Sequence, residues 1–67
     1  MNKKLLRSIM VLHGDNNATL SEYLGISKQS FSAKINENKS EFKKEEIAKI
    51  CEKYDLTAEQ IKEIFFN

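Results

Sequence analysis

An all-α fold of five short helices is what this sequence predicts. The chain has no proline, and no β-branched run alternates at strand period over strand length. Apolar residues recur instead at three- and four-residue spacing. A hydrophobic staple, in which an apolar residue just before a helix N-cap pairs with one five positions later, occurs three times.

The first helix is expected at about residues 2–13, with Leu5, Ile9 and Leu12 turned inward, and the run Gly14-Asp15-Asn16-Asn17 ends it. The second spans about 17–24, buries Leu20 and Leu24, and stops at Gly25. In the third, about 28–35, Ile26 and Phe31 staple across Ser27 as N-cap, and Phe31 and Ile35 face inward. The polar stretch from Asn36 to Ser40 breaks the chain again. Phe42 and Ile47 then bracket Lys43 at the start of the fourth helix, about 44–53, although lysine has no side-chain acceptor with which to cap. Glu45 and Glu46 place negative charge at the positive end of that helix, and Ile47, Ile50, Cys51 and Tyr54 form its inner face. The fifth helix, about 57–65, opens on a staple of Leu56 and Ile61 and on the capping box Thr57-x-x-Gln60, with Ile61, Ile64 and Phe65 inward.

Size and composition narrow the function. Sixty-seven residues with 40% hydrophobic and 31% charged side chains suit one lean domain, 1–67. A catalytic pocket is hard to carve from such a core, and no nucleophile, base and orienting group fall together by spacing. No catalytic residue is predicted, and the protein is not expected to be an enzyme. One cysteine and one histidine cannot supply the four ligands of a structural zinc site, so no metal or cofactor is expected. Cys51 reads as a small core residue and His13 as an exposed or capping side chain. No apolar run approaches the roughly 20 residues of a membrane span, and the N-terminal stretch lacks a small-residue cleavage site. A cytoplasmic location without a membrane partner is the expectation.

The net charge of +1 conceals an asymmetry. Residues 1–44 carry eight Lys/Arg against four Asp/Glu, whereas residues 45–67 carry three against six. A domain with one phosphate-facing end would have this distribution.

Only Gly25-Ile26-Ser27 separates the second and third helices. A glycine there adopts a left-handed conformation without steric cost and turns the chain sharply. Ser21, four residues earlier, is small enough to let the helices approach, and Phe31, six later, plugs the angle between them. The segment Asn16 to Ile35, NNATLSEYLGISKQSFSAKI, resembles the helix-turn-helix of the Cro and lambda-repressor-like family of bacterial and phage regulators, LGISKQSFS being its most typical part. A loop and two further helices, KKEEIAKICEKYDLTAEQIKEIFF, also end those five-helix domains, so the likeness covers about the whole chain. The family usually has alanine where Ser21 stands and an apolar residue three after the plug, where this chain has Lys34.

The resemblance implies a compact lambda-repressor-like domain that binds double-stranded operator DNA as a homodimer, with the third helix in the major groove. It implies a phage-type repressor in the bacterial cytoplasm, associated with the nucleoid and needing no small-molecule ligand. At about 100° per residue, Gln29, Ser32, Ala33 and Asn36 fall in one outward sector of the third helix, with Lys28 at its edge; these are the candidate base readers. Asn16, Asn17, Ser27, Ser30, Lys34, Asn38, Lys39 and Lys43 are the candidate backbone contacts. Phe65 and Phe66 are candidate dimer contacts. The alternative is a helical protein-interaction module, such as an antirepressor or a partner of another regulator. RNA binding is less favoured, because the third helix has no exposed aromatic on which a base could stack.

Overall fold

The structure, a computed structural model, describes residues 1–66. Five helices follow in chain order: α1 (Lys3–Leu12), α2 (Asn17–Leu24), α3 (Lys28–Ile35), α4 (Lys44–Tyr54) and α5 (Ala58–Phe65). No strand occurs among the described residues.

Each helix start has a local cause. The Asn2 side chain accepts from the Leu5 N–H at 3.1 Å, and Ser27 Oγ accepts from the Ser30 N–H at 3.0 Å. Thr57 and Gln60 form the expected reciprocal box at 3.1 and 2.9 Å. A second box joins Asn16 and Thr19 at 3.0 and 2.9 Å, with threonine in the place usually taken by glutamate or glutamine. At α4, Lys43 makes no side-chain cap, but Glu46 reaches back to accept the Lys43 N–H at 2.8 Å, which supplies half of a box.

The first four helices end alike. A left-handed residue follows the last turn, and the next N–H folds back five residues to a carbonyl: Asp15 to Met10, Ile26 to Ser21, Asn38 to Ala33 and Leu56 to Cys51, at 2.8 to 3.0 Å. Gly14 and Gly25 occupy two of these left-handed positions, at φ 75° and 74°. The other two are Glu37 at φ 54° and Asp55 at φ 49°, side chains that pay a steric penalty there.

Leu6, Leu20, Phe31, Ile35, Ile50 and Ile64 are fully buried, and Met10, Leu24 and Tyr54 complete the core. Phe42 bridges Phe31 and Phe65, with ring centroids 5.7 and 6.4 Å apart in edge-on contacts. The expected inner face of α1 is displaced by one residue. Leu6 and Met10 point into the core, Leu5 and Ile9 flank them half-buried, and Leu12 is 86% exposed. The Asn2 N–H donates to the Ile64 carbonyl at 2.8 Å, tying the start of α1 to α5. With Leu6 inward, Leu12 lies about 240° further around the helix, well off the buried edge.

Candidate nucleic-acid interface

The joint between α2 and α3 is built from small parts. Ser21 is buried and donates its hydroxyl to the Ala18 carbonyl at 2.9 Å, so the polar atom is satisfied inside its own helix. Gly25 at φ 74° and ψ 28° closes α2, Ser27 opens α3, and Phe31 is completely enclosed in the angle. With Phe31 and Ile35 fixed inward, the remaining edge of α3 is presented outward.

That edge carries the expected set. Lys28, Gln29 and Asn36 are exposed, while Ser32 and Ala33 are half-buried between them. Asn36 stands at the C-cap, and its side-chain amide donates to Ser32 Oγ at 3.4 Å. α3 ends at Ile35 because Glu37 takes the left-handed conformation that reverses the chain. Asn16 caps α2, Asn17 follows half-buried, and Ser27, Ser30, Asn38, Lys39 and Lys43 are all exposed around α3. Lys39 too has a positive φ, 57°.

One assignment needs correction. Lys34 is only 8% exposed, and its Nζ donates to both carboxylate oxygens of Glu46 at 2.8 and 2.7 Å, so it cannot serve as a backbone contact. Glu46, 7% exposed, therefore does more than complement the α4 dipole: it joins α4 to α3 and holds the Lys43 N–H as well. Burial alone raises its carboxyl pKa, but the hydrogen bonds from Lys34 and Lys43 outweigh that and hold it below the ordinary 4.5. Phe65 packs half-buried against Phe42 and the core, as the inner face of α5 requires, which leaves only part of its ring accessible. Phe66 remains 69% exposed.

A second polar network lies at the α1–α2 turn. Tyr54 OH donates to Asp15 at 2.7 Å, Thr19 donates to the other Asp15 oxygen at 2.8 Å, and the Lys53 ammonium stands 3.6 Å away. Burial would raise the Asp15 pKa, yet these donors and the nearby cation lower it below 3.8. Burial and the neighbouring carboxylate both push the Tyr54 phenol upward. The His13 ring lies against Tyr54, and Lys53 stands over the Tyr23 ring. Cys51 is half-buried, and burial raises its thiol pKa, as suits a packing residue.

Sequence reasoning passed over two residues of α1. Lys3 Nζ donates to Asn36 Oδ1 at 3.1 Å, and Arg7 Nη1 donates to Asn17 Oδ1 at 3.3 Å. Arg7 and Lys28 also line one shallow cleft with Asn16 and Asn17. The four-residue spacing of Lys3 and Arg7 was legible, but their approach to α3 and α2 depends on how α1 packs.

Fold and surface together define a class: small five-helix proteins that expose a polar edge on the third helix, without a grouping of three His, Cys, Asp or Glu suited to a metal among the described residues. Residues 3–67 match the family described as "Protein of unknown function (DUF739)", and the chain belongs to that family. No curated protein and no solved structure matches it.

Proposed function

We propose that the protein binds double-stranded DNA sequence-specifically through α3 and acts as a transcriptional regulator of the phage repressor type. The observation that carries this reading is the outward edge of α3, where Lys28, Gln29, Ser32, Ala33 and Asn36 stand together while Phe31 and Ile35 anchor the opposite edge. An eight-residue helix is about 12 Å long, and the major groove is about 12 Å wide. The side chains are short enough to enter it.

Each has a fitting chemistry. Gln29 can bond adenine N6 and N7 together, Lys28 can reach guanine O6 and N7, Ser32 and Asn36 can donate or accept, and the Ala33 methyl can touch a thymine methyl. Asn16, Asn17, Ser27, Ser30, Asn38, Lys39 and Lys43 surround that edge as phosphate contacts that set position without reading sequence. A homodimer on a palindromic operator, with half-sites about 10 base pairs apart, is the arrangement proposed, and Phe66 is its candidate contact. The setting is the bacterial cytoplasm, at the nucleoid. No helix of the described residues is long and apolar enough to cross a membrane.

A helical protein-interaction module is the second reading, favoured by the exposure of Val11, Leu12 and Phe66. Salt separates the two, because phosphate contacts release counterions and make DNA binding steeply salt-dependent. Selection from a random duplex pool, with retention compared at low and physiological salt, tests the proposal. A recovered palindrome with half-sites one helical turn apart is the expected result; no retention at either salt would overturn it and favour the protein partner.

A further inference from the structure

We infer that α1 belongs to the DNA-facing surface, with Lys3 and Arg7 as phosphate contacts beside α3. The inference rests on the DNA-binding reading and extends it to a helix outside the helix-turn-helix segment. Lys3 and Arg7 are one helical turn apart, on one face of α1. Lys3 reaches Asn36 at the end of α3, and Arg7 reaches Asn17 at the start of α2 and shares a cleft with Lys28. The face bearing these two cations therefore runs alongside the proposed base-reading edge.

Charge pairing leaves both cations available for that role. Neither Lys3 nor Arg7 stands within 4 Å of a carboxylate among the described residues, so both charges are available, as are those of every lysine except Lys34 and Lys53. Their hydrogen bonds go to neutral amide oxygens, which a phosphate oxygen can outcompete because it sets a full negative charge opposite the cation and, for Arg7, accepts two parallel N–H bonds.

Helix electrostatics supplies a separate argument. Acidic residues favour the first turn of a helix and cations disfavour it. α4 and α5 carry Glu45, Glu46 and Glu59 there, although α4 also opens on Lys44. α1, α2 and α3 have no acid in the first turn, and α1 places Lys3 and Lys4 there. Departures from a local stability rule are expected where function demands them, and here the clearest is α1, which opens on two lysines without an acid beside the proposed interface. Lys3 and Arg7, beside Lys28 and the amides of Asn17 and Asn36, form a surface suited to a polyanion.

The test measures the salt dependence of binding to a short duplex of random sequence and to a selected site, for the wild-type protein, the double variant Lys3→Gln/Arg7→Gln, and Arg7→Lys. Two lost phosphate contacts should flatten the slope of log affinity against log salt by about 1.8, at about 0.9 per contact, equally on both duplexes. Arg7→Lys keeps the charge while losing the guanidinium geometry, so its slope should stay at the wild-type value. Thermal melting of each variant verifies that the fold is retained. A wild-type protein that binds duplex DNA, alongside a folded double variant with an unchanged slope, would overturn the role of α1 and leave that of α3 standing. A wild-type protein that binds neither duplex would overturn the DNA-binding reading itself.

Discussion

α3 is entered through three residues and left through eight. At its start Gly25, Ile26 and Ser27 set the angle by means of a left-handed glycine, a side-chain cap and the plug Phe31, all within seven positions. At its end, residues 36–43 contain two non-glycine left-handed residues, Glu37 and Lys39, and the tie across them is the buried pair of Lys34 and Glu46. The first joint is written locally, whereas the second depends on a contact between side chains twelve residues apart. A helix that must meet a partner at a defined angle is thus held by short-range geometry at one end and by a long-range charge pair at the other.

The largest expected effect tests the first joint. Phe31→Ala should cost about 3–5 kcal/mol, enough to threaten the folding of so small a domain. Unaltered melting would mean that the corner does not depend on its plug.

Breaking the second joint comes next. Glu46→Ala strands a buried ammonium and should cost about 3 kcal/mol, whereas Lys34→Met with Glu46→Leu, which removes both charges, should recover most of that loss, short of the cap that Glu46 gives the Lys43 N–H. Acid should imitate the single variant. Because the folded state holds the Glu46 and Asp15 carboxyls below their ordinary 4.5 and 3.8, their contribution is present in full above those values and is lost as pH falls through the lowered ones. Melting followed from neutral pH downward should show this loss, and Glu46→Ala should lose less than the wild type. An equal loss in both would exclude Glu46 as a source of the pH dependence.

At the interface the effects are smaller and differ in kind. Gln29→Ala should weaken binding to the selected site by about 1–3 kcal/mol and leave random duplex nearly unaffected, whereas Lys39→Ala should weaken both and reduce the salt slope by about one. Equal loss on all sequences for Gln29→Ala would remove it from the base-reading set. Smaller again, Gly25→Ala should destabilise by about 1 kcal/mol through backbone strain alone, since an added methyl meets nothing within 4 Å. A loss of several kcal/mol there would point to a clash instead.

Much of the fold was legible because its signals are short-range. The five helices, the caps Ser27 and Thr57, and the core residues Phe31, Ile35, Ile50 and Ile64 all follow from spacing and capping chemistry. What escaped depends on tertiary contact. Leu12 fits an apolar stripe as well as Leu6 does, and the bond from Asn2 to Ile64 helps decide between them. Lys34 has the appearance of any surface lysine until Glu46 is brought opposite. The outward set on α3 was readable from helical angle alone, whereas the proximity of Lys3 and Arg7 required the packing of α1.

The helix ends also hold a reserve of thermal stability that the chain does not use. Two of its four left-handed helix ends are glutamate and aspartate, Glu37 and Asp55, where glycine would sit without strain. Glu37 also pairs with the N-terminal ammonium at 2.7 Å, so Asp55 is the cleaner site. Glycine there relieves about 1–2 kcal/mol of left-handed strain against about 0.4–1 kcal/mol of added unfolded-chain freedom, and each net kcal/mol raises the melting temperature of a domain this size by about 4–8 °C. Calorimetry of Asp55→Gly would measure that margin directly at a site far in sequence from α3, and an unchanged or lower melting temperature would show that the aspartate is already at ease there. A sturdier background of this kind would let the costly changes at Phe31 and Glu46 be studied in a protein that still folds.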